Sequence, residues 1–145
     1  MREMETQIEI DAAPERVWAV LTDFPSMASW NPFIRSIAGP LAVGETIDVR
    51  VEPPGRPSMS FKPVLLTVKP ARELRWLGGF IAKGVFDGEH FFLIDKISAQ
   101  TTRLTHGEKF SGLLAPLIMN RSMLESTRAG FVAMNEALKR RAETK

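Results

Sequence analysis

The chain has no cysteine, no tyrosine and only two histidines among its 145 residues. Without cysteine there is no disulfide framework, no thiolate nucleophile and no thiolate metal site. Without tyrosine, no phenol can act as a proton donor. The net charge is only +2 and the basic residues are scattered, so the broad basic face that nucleic-acid binding uses is missing. The one basic cluster, Lys139-Arg140-Arg141, falls where the last helix should end, and cations there interact favourably with the helix C-terminus. No apolar run is long enough to span a membrane, so no stable membrane insertion is expected. The opening Met1-Arg-Glu-Met-Glu-Thr6 is charged and lacks an apolar signal core, which implies no export and makes a cytoplasmic location the expectation. Gly78-Gly79 and Gly84 match neither a phosphate loop nor a dinucleotide-binding spacing, and no serine sits in a nucleophile elbow.

What is present is a globular composition, 44% hydrophobic and 25% charged, consistent with a single domain over 1–145. Residues 4–12 alternate Met4, Thr6, Ile8 and Ile10 against charged neighbours, as a half-buried strand does. A helix opens on Pro14, whose missing N–H costs nothing at the first helical position. It carries Val17, Trp18, Val20 and Leu21 at helical spacing and runs over 14–22. A second short helix is expected near 25–30, ending at Asn31-Pro32. Strands follow over 34–38, 46–51, 59–68, 73–78, 85–95 and 101–110. Ile47, Val49 and Val51 should point inward, and Pro63 should mark a bulge or an edge. Pro53-Pro-Gly-Arg-Pro57 is a turn.

A long helix is expected from Pro116 to about Ala142, with a stripe of Leu117, Asn120, Leu124, Thr127, Phe131, Met134 and Leu138. Arg121, Glu125 and Arg128 can pair along its outer side. Asn120 and Thr127 are polar members of that stripe, and Gly130 lies beside it. Either the helix packs closely there, or it leaves space for a ligand and offers it polar handles.

Ala13-Pro-Glu-Arg-Val-Trp18, Trp30-Asn-Pro-Phe33, Glu73-Leu-Arg-Trp76, Phe86-Asp-Gly-Glu-His90 and Glu108-Lys-Phe-Ser-Gly112, in that order, resemble the START-like superfamily. The likeness is to the bacterial polyketide cyclase/dehydrase-type (SRPBCC) single-domain proteins and spans nearly the whole chain. It implies an α+β helix-grip fold, in which a curved antiparallel sheet of about seven strands wraps a long C-terminal helix and leaves a cavity between them. It also implies a choice of functions, because such proteins include lipid and sterol carriers, aromatic polyketide cyclases, plant hormone receptors and chaperone co-activators.

Strand alternation places Phe86, His90, Phe92 and Ile94 on one face, and Leu104, His106, Glu108 and Phe110 on one face of the next strand. A hairpin turn at Ile97-Ser98-Ala99 sets position 90 opposite 106; a turn longer by two residues sets it opposite 108. Either register gathers His90, His106 and Glu108 on the concave side. The trio has three readings: a hydrogen-bonded cluster that orients the polar end of a ligand, an acid–base pair, or a ligand set for a metal. No metal and no cofactor is expected. Trp30, Phe33, Trp76, Met119, Met123 and Thr127 complete the expected lining, with Gly78 opening room beside Trp76. In the resemblance, the segment of Trp30 and Phe33 closes the pocket mouth.

The leading expectation is binding of a small, mostly apolar, lipid-like or polyketide-like molecule between sheet and helix. A cyclase/dehydratase using a histidine–glutamate pair is the rival. A protein-interaction module is the third, and would show a filled interior with an exposed apolar patch. The chain should act as a monomer or a homodimer.

Overall fold

In the computed structural model, which describes residues 2–79 and 84–144, strand β1 (Arg2–Ile10) buries Met4, Thr6 and Ile10 and exposes the charged residues between them. Helix α1 (Pro14–Thr22) starts on its proline and buries Val17, Val20 and Leu21. A 3-10 turn (Phe24–Ser26) leads into α2 (Met27–Trp30). Asn31 then turns the chain sharply. Its side-chain carbonyl accepts from the backbone N–H groups of Phe33 at 2.8 Å and Ile34 at 2.9 Å, an Asx-type turn that drops Phe33 onto the core and starts β2 (Ile34–Ala38).

Strand β3 (Asp48–Val51) turns Val49 and Val51 inward, with Ile47 buried just before it. The strand predicted over 59–68 is two strands, β4 (Met59–Phe61) and β5 (Val64–Lys69). Pro63 has no N–H to give a ladder, and the chain uses that break to change sheets. Strand β4 joins a three-stranded sheet ordered β2-β3-β4. Strand β5 starts the edge of a five-stranded sheet ordered β1-β8-β7-β6-β5, with β6 (Glu73–Gly79), β7 (Asp87–Ser98) and β8 (Thr101–Ser111). An isolated bridge, Thr46 to Val64, links the segment before β3 to β5. The split accounts for eight described strands where about seven were expected.

The C-terminal helix is also divided. A short α3 (Ala115–Ile118) is followed by α4 (Arg121–Glu143). Met119 leaves the helical region (φ −93°, ψ 60°), and Asn120 caps α4, its side chain accepting from the Met123 N–H at 3.0 Å. Asn120 is therefore an exposed cap rather than a polar member of a buried stripe, and Leu117 is 73% exposed. From Thr127 onward the expected face holds, with Phe131, Met134 and Leu138 buried. Arg121 pairs with Glu125 at 3.3 Å, while Arg128 donates to the Glu5 carbonyl instead of joining that row.

Helix α4 lies against β1, β8 and α1. The architecture is the α+β helix-grip arrangement. Gly130 is where this packing is tightest: a Cβ there would stand 2.4 Å from the Phe33 ring. The space that glycine leaves is filled by Phe33, not kept for a ligand.

Candidate functional site

Strands β7 and β8 pair with His90 opposite Glu108, Phe92 opposite His106 and Gly88 opposite Phe110. This is the longer-turn register of the two the sequence allowed. All six residues lie on the face toward α4. His90 is 3% exposed and His106 fully buried.

The three titratable groups form a line, not a triangle. Glu108 Oε1 lies 2.9 Å from His90 Nδ1. His90 Nε2 lies 2.7 Å from His106 Nε2. His106 Nδ1 lies 2.8 Å from Asn135 Oδ1. Asn135 Nδ2 donates to Thr6 Oγ1 at 2.8 Å, and Thr6 Oγ1 donates to the His106 backbone carbonyl at 2.8 Å. Sequence reading found the first three members. It missed Asn135 and Thr6, although Thr6 was placed on the inward face of its strand.

The last link sets the direction of every other. A carbonyl oxygen only accepts, so the Thr6 hydroxyl spends its proton there and must receive from Asn135. Asn135 then offers its oxygen to His106, whose Nδ1 carries hydrogen. Neutral His106 has a bare Nε2, so His90 Nε2 carries hydrogen. The Glu108–His90 bond holds one proton, and the pair is neutral overall.

Burial places that proton on the carboxyl. It pushes Glu108 up to about 8 and lowers His90 to about 3. It also holds His106 well below the usual imidazole range, assisted by the neighbouring His90 and opposed by the Asn135 bond. All four ring nitrogens are engaged in these bonds. Among the described residues, no group of three histidine or acidic side chains is arranged to hold a metal ion.

Aromatic rings pack around the two imidazoles. Phe131 stacks on His106 with centroids 4.0 Å apart and planes 6° from parallel. Phe92 stacks on the same ring at 4.4 Å. Trp76 stacks on His90 at 5.0 Å. Trp76, Phe92 and His106 thus lie in solid packing and do not border empty space. The Trp76 indole N–H is buried with no hydrogen-bond partner among the described residues. The room expected beside Gly78 is occupied, since a Cβ there would meet the Phe61 ring at 3.1 Å.

A cavity of about 50 Å³ remains at one end of this face. Of the residues expected to line it, Phe33, Phe86, His90, Glu108, Phe110, Met119, Met123 and Thr127 do. Val51, Pro53, Met59, Phe61 and Ile118 line it as well. Val51 was visible as an inward residue, but reading 59–68 as one strand hid Met59 and Phe61. Trp30 is elsewhere, on an open groove between α1 and the end of α4 with Arg16, Asp23, Arg140 and Arg141.

The hollow is far smaller than a ligand pocket. It is about a third of the ~150 Å³ known to admit benzene. Met59, Met119 and Met123 on its wall are unbranched and can change rotamer without backbone movement. Near the same end, Leu113 is 83% and Leu117 73% exposed.

A family described as "Polyketide cyclase / dehydrase and lipid transport" matches residues 1–143. No curated protein matches the chain. Among solved structures, the Zhui aromatase/cyclase from Streptomyces sp. R1128 superposes with a TM-score of 0.78 at 20% identity, covering 98% of this chain and 93% of that one. A START superfamily protein from Mycobacterium smegmatis gives 0.75 at 18% identity, with 97% of each chain covered. The di-domain aromatase/cyclase BexL from the BE-7585A biosynthetic pathway gives 0.72 at 15% identity; 95% of this chain matches 46% of it. At these identities the likeness is one of fold. Among the described residues, no helix is long and apolar enough to cross a membrane.

Proposed function

The chain belongs to the polyketide cyclase/dehydrase and lipid transport family, and from that premise we propose that it binds a small, mostly apolar molecule between the sheet and α4. The observation that supports this most is the contrast within the cavity wall: aromatic and methionine side chains surround one carboxyl and one imidazole edge. Such a wall holds an apolar body and gives it a single polar anchor. Entry requires the methionines to swing aside, which enlarges the hollow without unfolding the strands.

The test is a titration with small aromatics, toluene first, followed by protein NMR and thermal shift. Saturable binding that perturbs residues around Phe86, Phe110 and Met119 supports the proposal. An interior closed to every such probe, in a protein that instead captures a partner through Leu113 and Leu117, would replace it with the interaction reading.

One observation favours a second reading. Glu108 keeps a proton near neutral pH, faces the cavity and is hydrogen-bonded to His90. With its own proton held in the His90 bond, Glu108 can take a proton through Oε2 from the carbon beside a carbonyl and return it to the carbonyl oxygen, the enolisation that an aldol-type cyclisation or dehydration needs. Turnover of a polyketide-like substrate, lost in Glu108→Gln, would establish it. Binding without any turnover leaves the chain a carrier.

A further inference from the structure

We infer that the pocket selects a neutral ligand that presents a hydroxyl donor, because the Glu108–His90–His106–Asn135–Thr6 chain commits the single proton of the Glu108–His90 pair to the bond between them and leaves Glu108 Oε2 as a free acceptor at the cavity. The inference rests on the binding reading above and names the chemistry of the ligand's polar end.

Three observations carry it. The first is direction. The chain ends on a backbone carbonyl, so its polarity cannot reverse, and the proton between Glu108 Oε1 and His90 Nδ1 has an acceptor already. The second is the position of the other oxygen. Glu108 Oε2 makes no hydrogen bond to a described residue. It leans over Gly88, where a Cβ would stand 2.2 Å away. Glycine at 88 is what lets the carboxyl lie close against β7, and Glu108 lines the cavity with Phe86 and Phe110. The third is charge. Among the described residues, no lysine or arginine lines the cavity and Glu108 is its sole acidic member.

A ligand carboxylate would therefore meet an acceptor with no counter-charge among the described residues, in surroundings that penalise unpaired charge. An ether or a hydrocarbon would leave Oε2 unpaired. An alcohol or phenol satisfies it and disturbs nothing else in the chain.

Four probes of similar size separate the possibilities: phenol, anisole, toluene and benzoate, each titrated into the intact protein with NMR detection. Phenol should bind about tenfold tighter than anisole, the usual net worth of one buried hydrogen bond, and benzoate should not bind. Without that bond the more apolar anisole would lead.

Glu108→Gln keeps the pattern. Its amide N–H donates to His90 Nδ1 and its oxygen takes the place of Oε2, so the phenol preference survives. Glu108→Leu removes the acceptor, so anisole should overtake phenol. Imidazole nitrogen shifts should also show His106 protonated on Nδ1 and His90 on Nε2.

Equal binding of phenol and anisole, tight binding of benzoate, or loss of the preference in folded Glu108→Gln overturns the inference while the pocket stands. Failure of toluene, anisole and phenol alike overturns the pocket and the inference together.

Discussion

Two ends of one hairpin face the same helix and end up differently. Phe92 and His106 are opposite each other on β7 and β8 and are fully buried in ring-on-ring packing. Gly88 and Phe110 are opposite each other on the same two strands, and Phe110 lines a cavity with Glu108. The strands do not differ; what covers them does. Over the first pair, α4 is continuous and presents Phe131 and Asn135. Over the second, the helix is interrupted at Met119-Asn120 and presents flexible methionines. The polar chain runs from one end to the other, anchored at Thr6 in the solid half and open at Glu108 in the hollow half. A rigid anchor thus fixes the protonation pattern of a group in the adaptable part.

The strongest way to break the solid half is Phe131→Ala. It removes a fully buried ring that stacks on His106 and meets Phe33 edge-on at 5.3 Å. A loss of about 3–5 kcal/mol in denaturant unfolding is expected; a loss under about 1 kcal/mol would show that this end is not close-packed.

Asn135→Leu tests the anchor. It strands the His106 Nδ1–H and removes the donor to the Thr6 hydroxyl, at a cost of about 1–3 kcal/mol. The His90 and His106 tautomers should then mix in nitrogen spectra. Unchanged tautomers would mean that direction is not imposed from Thr6.

Gly130→Ala sharpens the boundary between the halves. The new methyl group pushes the Phe33 ring toward the cavity. Overpacking outweighs the better helix propensity, for a net loss of about 1 kcal/mol, and probe binding should weaken. Unaltered binding would place Phe33 outside the pocket wall.

The gentlest probe is pH. The folded state keeps Glu108 protonated up to about 8 against an ordinary 4.5. Between those values only the folded state holds that proton, so this group's contribution falls as pH rises. The two histidines act in the opposite sense. Both are held below 6.5 in the fold, so their contribution is lost as pH falls below that value. Two histidines outweigh one carboxyl on the acid side. Between pH 4.5 and 8 stability should therefore peak near pH 6.5 and decline on either side by at most about 1.4 kcal/mol per pH unit, the acid limb steepening below 4.5 where the carboxyl no longer offsets the histidines. Glu108→Gln should flatten the alkaline limb; an alkaline limb unchanged in that variant would contradict the assignment of the proton.

Much of this was legible in the sequence, for physical reasons. Alternation fixes which side of a strand is buried, so the inward faces of β1, β3, β7 and β8 could be read directly. Proline and asparagine mark boundaries, and Pro14 did so correctly. Pro63 and Asn120 were harder. Each can sit inside a continuous element or end it, and the choice is made by neighbours distant in the chain. Pro63 ends a strand because β4 and β5 belong to different sheets. Asn120 starts a new helix because Met119, buried at the cavity, has ended the one before it. Empty space was the least legible property of all. Gly78 reads as an opening and Gly130 as either an opening or a close contact, but Phe61 and Phe33 occupy the room beside them. Nothing local to a glycine says which distant ring will arrive there. The polar chain was half visible for the same reason: His90, His106 and Glu108 share a hairpin, whereas Asn135 and Thr6 come from other elements.

The methionines test the central claim most directly, because they report on both halves at once. With methyl-labelled methionine, titration with toluene or phenol should move the signals of Met59, Met119 and Met123, which line the cavity. The signals of Met27 and Met134, 1% and 0% exposed in the packed core, should stay in place. Saturable shifts confined to the first three are the predicted result. No shift in any of them, or equal movement of Met134, would contradict a pocket that opens at one end of an otherwise solid interior.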